Sequence, residues 1–213
     1  MERLHVRIPL HGGTTLDASL FTPRLARGAV IVATSGGDGA FPARDRQLAS
    51  VLEQLHLATM VIDLVAGEPV PISAGLLAQR LVHATEWMRH QHPGLRVGYV
   101  GIGTAATAAL VAAAQHPESA AAVVAWSPRP QQAGAWLDTL TAPVLLLAGE
   151  RDADAVEQCR EALPHLPGFC QSHVVENATG DFHTPAVVAD AVQRTASWLT
   201  TTWLGGRIGT ERP

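Results

Sequence analysis

Six times along the chain a short run rich in Val, Ile, Leu or Ala is followed by a longer stretch of helical character, and this alternation constrains the fold more than any other feature. The runs at 29–34, 59–64, 96–101, 121–126, 144–149 and 172–176 read as strands covered on both faces, because they lack the polar alternation of a half-exposed sheet. The stretches at 44–57, 74–90, 104–116, 131–140, 153–163 and 186–203 read as helices. Right-handed crossovers then order six parallel strands into one sheet. Ahead of them, 4–9 and 15–21 flank His11-Gly12-Gly13 and read as an antiparallel hairpin. The expectation is an α/β protein with a mainly parallel, doubly wound sheet. A length of 213 residues without an interdomain linker implies one domain over 1–204, with 205–213 as a flexible tail.

Composition removes several function classes. Hydrophobic residues make up 47% and charged residues 16%, the balance of a globule rather than a disordered chain. All 15 basic residues are arginine. Without lysine there is no Schiff-base enzyme, no pyridoxal-phosphate anchor and no phosphate loop ending in Lys-Ser/Thr. All-arginine, alanine-rich usage also points to a GC-rich bacterial genome. A net charge of −4 argues against nucleic acid as a partner. Cys159 and Cys170 are too few for a disulfide framework or a zinc site and read as free thiols in a reducing cytoplasm. No apolar run approaches the ~18 residues of a membrane span, and Met1-Glu2-Arg3-Leu4-His5 does not open a signal peptide, so a cytoplasmic location without membrane contact is expected. The histidines outside position 183 have no metal-ligand spacing, and neither a metal nor any other cofactor is expected.

In an open parallel sheet the ligand site gathers at the carboxyl ends of the strands. Four loops there carry the candidates: Thr34-Ser35-Gly36-Gly37-Asp38-Gly39, Gly101-Ile102-Gly103-Thr104-Ala105, Gly149-Glu150-Arg151-Asp152 and Gly180-Asp181-Phe182-His183. Two are glycine-rich, yet Gly98, Gly101 and Gly103 do not make G-x-G-x-x-G, which weighs against a dinucleotide. Asp38 reads either as a turn residue before a helix or as a polar contact for substrate. Asp181 either tunes the charge of His183 or caps a turn. Trp126, at a strand end, either lines a ligand pocket or packs in the core, and Asp63 reads as a structural acceptor.

The order of strand, tight turn and helix at Gly101 to Ala105, then an acid after a later strand, then a histidine near the C-terminus, is that of an α/β-hydrolase. The carrying residues are Leu77-Ala78-Gln79-Arg80-Leu81, Ala84-Thr85-Glu86-Trp87-Met88-Arg89, the elbow run Val97-Gly98-Tyr99-Val100-Gly101-Ile102-Gly103-Thr104-Ala105, Ala142-Pro143-Val144-Leu145-Leu146-Leu147 leading to Asp152, and His183 before a helix headed by Pro185. On these the chain resembles the capless, dienelactone-hydrolase-like branch of the α/β-hydrolases. The resemblance implies an α/β-hydrolase fold without a cap domain, Asp152 as acid and His183 as base. It also places Gly103 where relatives carry the serine of Gly-x-Ser-x-Gly, and Ala105 at the last glycine. Relatives tend to have His-Gly-Ser-Gly where this chain has Thr34-Ser35-Gly36-Gly37.

An elbow drives its central residue to positive φ, which glycine adopts freely, so the turn should persist at Gly103 without the nucleophile. The N–H groups of Gly36 and Thr104 remain candidates for an oxyanion site. Ser35, Asp38, Trp126 and Asp181 are candidate substrate contacts. Three functions fit. The first is non-covalent acid–base chemistry by His183 and Asp152 on a small carbonyl compound: cyclisation, isomerisation, lyase chemistry or water addition. The second is a pseudo-hydrolase that binds a ligand or partner without turnover. The third is an esterase using another nucleophile, with Ser35 the best local hydroxyl. The expected partner is a small molecule, for a monomer or homodimer.

Overall fold

The computed structural model describes residues 3–10, 13–36, 42–65, 67 and 72–205. The hairpin forms as β1 (Leu4–Pro9) and β2 (Thr15–Phe21), registered Leu4 to Leu20 and Pro9 to Thr15. Then come β3 (Gly28–Thr34), α1 (Ala43–Gln54), β4 (Leu57–Asp63), α2 (Ala74–Gln91), β5 (Val97–Ile102), α3 (Thr104–Gln115) and β6 (Val123–Trp126). A 3₁₀ segment (Pro130–Thr139), β7 (Val144–Gly149), α4 (Ala153–Ala162), β8 (Cys170–Val175) and α5 (Pro185–Trp198) complete the layers. The sheet has eight strands in the order β1-β2-β4-β3-β5-β6-β7-β8. β2 meets β4 antiparallel, and every pairing from β4 through β8 is parallel.

Successive residues of β3 alternate between two cores, because side chains alternate across a strand. Ala29, Ile31 and Ala33 join the core beneath α2, α3 and α4, while Val30 and Val32 join the one beneath α1 and α5. Burial on both faces leaves every residue of β3, β4 and β5 inside. The alanines of α3 have a steric reason. A Cβ on Gly101 would stand 2.4 Å from the Ala105 carbonyl oxygen and 2.5 Å from the Ala106 Cα, so the start of α3 lies directly on β5.

Three expected helices differ in detail. The first ends at Gln54, because His56 takes φ 58° and turns the chain into β4. The expected helix at 131–140 is a 3₁₀ segment broken at Gly134, whose φ of 55° and ψ of −137° are non-helical. The last divides into α5 and a π-helical end, Leu199–Leu204, which lays Trp203 across Gly28 and Gly98. Among the described residues no segment forms a cap over the carboxyl edge, and no helix is long and apolar enough to cross a membrane.

Candidate active site

All the candidate loops leave the carboxyl edge of the sheet. Gly103 is the residue between β5 and α3, with φ 63° and ψ −127°, and its N–H donates to the Trp126 carbonyl at 2.9 Å. This backbone is the positive-φ turn expected at that position, and only glycine takes it without strain. Among the described residues, a Cβ there would meet no atom within 4 Å. Thr104 follows as the exposed first residue of α3, where backbone N–H groups have no intrahelical acceptor. After β3, Ser35 is half-buried and Gly36 exposed, while Asp38 lies outside the described residues.

Asp152 caps α4, its carboxylate accepting from the Ala155 N–H at 3.2 Å. Arg129 reaches both of its oxygens through one nitrogen, at 3.1 and 2.9 Å, and the Ser127 hydroxyl donates at 3.0 Å. Burial pushes this carboxyl up. The Arg129 hydrogen bonds, the Ala155 N–H, the Ser127 hydroxyl and the Arg129 charge outweigh it and hold Asp152 below its ordinary value. Arg129 also lies 3.5 Å from Asp154, and its backbone N–H donates to Thr107 Oγ1 at 2.9 Å.

His183 is exposed, and its Nδ1 lies 2.9 Å from Asp181 Oδ1 and 3.2 Å from the Thr179 hydroxyl. Thr179 also donates to that Asp181 oxygen. The Thr179 hydroxyl first, then the His183 bond, lower the Asp181 carboxyl. Among the described residues no hydrogen bond joins His183 to Asp152, so each of the expected pair is engaged elsewhere.

Trp126 is in the core. It is fully buried, donates its indole N–H to Thr195 Oγ1 at 3.0 Å, and meets the Phe182 ring at 5.3 Å between centroids. The packing alternative therefore describes it, and the buried anchor it makes with Phe182 fixes the loop that carries His183. Asp63 accepts from the Val65 N–H at 3.0 Å, a local turn bond. Among the described residues no group of His, Cys, Asp or Glu is arranged to hold a metal ion.

Residues not singled out from the sequence complete the site. Ser127 and Arg129 follow β6 as Asp152 follows β7, so applying the carboxyl-edge rule to every strand finds them. Arg44 and Asp45 open α1, where nothing in the sequence announces that Arg44 will donate to the Asp181 carbonyl at 2.5 Å. Strain marks the same rim: Ser127, Asn177 and Phe182 take φ of 49°, 57° and 48°. Such conformations persist only where surrounding contacts over-determine them.

No profile of a known protein family matches the chain. Among solved structures it is similar to dienelactone hydrolase from Anabaena variabilis, at 33% identity over 94% of this chain and 97% of that one, with a TM-score of 0.87. The Pyrococcus furiosus esterase Pf2001 shares the fold at 15% identity over 94% and 92% of the two chains, with a TM-score of 0.78. Two curated Mycobacterium tuberculosis proteins, from strains CDC 1551 and H37Rv, carry the name "Putative phosphoribosyl transferase" and are 36% identical over 195 residues. That match takes in 88% of this chain and 44% of theirs, so the chain spans less than half the length of these relatives. With its eight-stranded order, its turn at Gly103 and near full-length similarity to the Anabaena variabilis protein, the chain belongs to the dienelactone hydrolase family of the α/β-hydrolase fold.

Proposed function

We propose that this chain keeps the α/β-hydrolase scaffold without its serine nucleophile and performs non-covalent acid–base chemistry on a small carbonyl compound. One observation carries the reading: Gly103 holds the positive-φ elbow backbone, φ 63° and ψ −127°, with no atom of the described residues within 4 Å of where a side chain would begin. The turn is maintained although no hydroxyl is attached to it. His183, exposed on its loop, is the proton-transfer group, since an imidazole ring has one nitrogen to accept a proton and one to donate it. The Gly36 and Thr104 N–H groups are the donors for charge developing on the carbonyl oxygen. Proton abstraction, cyclisation, isomerisation, lyase chemistry and water addition each need only these parts. Without a covalent step, the space at Gly103 admits a water molecule or part of the substrate.

Phosphoribosyl transfer is not carried over from the curated relatives' name. The chain spans 44% of those proteins, and its glycine-rich runs have neither lysine nor phosphate-loop spacing. A second reading, ligand or partner binding without turnover, draws on one observation: Asp152 is bonded to Arg129 and Ser127 rather than to His183.

The test restores the family residue. Gly103→Ser is expected to gain hydrolysis of short activated esters, and that gain is expected to vanish with His183→Ala in the same background. A silent Gly103→Ser protein selects the binding reading. Rapid ester hydrolysis by the unaltered chain, with an acyl-enzyme burst, would replace both with an esterase using another nucleophile such as Ser35.

A further inference from the structure

A histidine that moves protons needs a partner to set which ring nitrogen carries the proton. Asp152 has no acceptor position left for that task. Its Oδ1 takes the Arg129 guanidinium at 3.1 Å and the Ala155 N–H at 3.2 Å, and its Oδ2 takes the Ser127 hydroxyl at 3.0 Å and the guanidinium again at 2.9 Å. An ionised carboxylate offers about four lone-pair positions, and these donors use them. Backbone closes in on it as well: a Cβ on Gly180 would stand 2.5 Å from Asp152 Oδ2 and 3.1 Å from the Ser127 hydroxyl.

Asp181 is placed differently. Its Oδ1 lies 2.9 Å from His183 Nδ1 and also accepts from Thr179, whose hydroxyl is 3.2 Å from the same nitrogen. The segment is tied to the far side of the site, because the Asp181 carbonyl accepts from Arg44 at 2.5 Å. Arg44 in turn donates through Nε to Asp45 Oδ1 at 2.7 Å, and that carboxylate has no exposed surface. Two Arg–Asp pairs thus act on these loops. Asp45 and Arg44 hold the Asp181 backbone, while Asp152 and Arg129 hold each other.

Resting on the acid–base reading of His183, we infer that Asp181 rather than Asp152 is its positioning residue. Asp181 holds the imidazole proton on Nδ1 and leaves the Nε2 lone pair as the base, and Arg44, anchored by buried Asp45, keeps Asp181 in register. Asp152 serves instead as the anchor of Arg129 and the cap of α4.

The ring tautomer tests this without any substrate. Nitrogen-15 spectra of the imidazoles, with His183→Gln used to assign the signal, are expected to show neutral His183 in the Nδ1–H form, whereas a histidine free in water favours Nε2–H. Asp181→Ala, at an exposed position that does not threaten folding, is expected to lose the Nδ1–H form. Asp152→Asn, which can still cap α4, is expected to retain it. An Nε2–H ring in the unaltered protein, an Asp181→Ala variant with the tautomer unchanged, or loss of the form in Asp152→Asn would each overturn the assignment. If the spectra behave as expected while His183→Ala keeps full turnover of an identified substrate, the acid–base reading falls and the Asp181 pairing stands.

Discussion

At the scale of single residues, two glycines two positions apart are required for unrelated reasons. Gly103 needs freedom in φ, at 63°, and among the described residues no atom stands within 4 Å of where its Cβ would be. Gly101 has ordinary strand geometry and no room, with the Ala105 carbonyl oxygen 2.4 Å from where its Cβ would stand. Gly103→Ala should therefore cost about 1–3 kcal/mol of backbone strain and leave the fold intact. Gly101→Ala should cost more, because backbone rather than a side-chain end must move. Urea unfolding of both variants checks the ranking, and equal losses would contradict it. The two rim carboxylates oppose each other in pH dependence. Asp152 is held below its ordinary 3.8, so its share of stability is fully present above that value and disappears as pH falls through the lower folded-state value. Asp45 is raised by its burial, so its ionisation drains stability as pH climbs from 3.8 toward the higher folded-state value. Asp152→Asn should lower stability at neutral pH by about 1–3 kcal/mol, the worth of hydrogen bonds to a charged group. The same variant should show a shallower fall in stability below 3.8, where in the unaltered chain the unfolded state takes up a proton that the folded Asp152 still resists. Unfolding curves collected across the acid range would reveal an unchanged slope if Asp152 contributed nothing.

At the scale of elements, the sequence disclosed the scaffold because strands buried on both faces advertise themselves. Val144–Gly149 coincides with its expected run, and the remaining parallel strands are displaced by at most two residues at either end. Helix ends were harder to read, since His56 and Gly134 end or break helical geometry through tertiary placement that propensity does not register. The site was legible as a set of loops and illegible as a set of bonds. Asp152, Asp181 and His183 all lie on the rim, but which carboxylate meets the imidazole depends on Arg129 reaching from the end of β6, a contact between residues 23 apart in sequence. Trp126 was ambiguous for the same reason, as its indole partner Thr195 comes from α5. The π-helical end of α5 illustrates how a late element locks an early one. Trp203 is 1% exposed and lies over Gly28 of β3 and Gly98 of β5, whose missing side chains make its slot, with the Arg96 guanidinium 5.9 Å from the ring centroid. Trp203→Ala should cost about 3–5 kcal/mol, as for large aromatic deletions in a core. Thermal unfolding measures this, and a loss under ~1 kcal/mol would mean the end of the chain is not part of the cooperative core.

At the scale of the whole molecule, the same fold serves esterases and other hydrolases at identities near 15%, so fold alone does not assign an activity. What does bear on activity is the inventory of nucleophiles. The chain has no lysine, and both cysteines are built into secondary structure, Cys159 in α4 and Cys170 at the start of β8. Burial pushes each thiol up to about 12, far from the thiolate state that attacks an ester or a disulfide. The Ser127 hydroxyl is committed to Asp152. These restraints accord with the proton transfer by His183 proposed above, and the thiols become reporters of integrity rather than reagents. In native protein at neutral pH, Ellman's reagent should react with the buried Cys159 thiol only as fast as the molecule opens. In increasing urea, labelling should rise with the same midpoint as the loss of far-ultraviolet circular dichroism, because Cys159 lies in the core that includes Ile31, Tyr99 and Leu146 from three strands of the sheet. Stoichiometric labelling of Cys159 in the absence of urea, complete before any change in dichroism, would show a reactive thiolate and would return a covalent mechanism to the molecule.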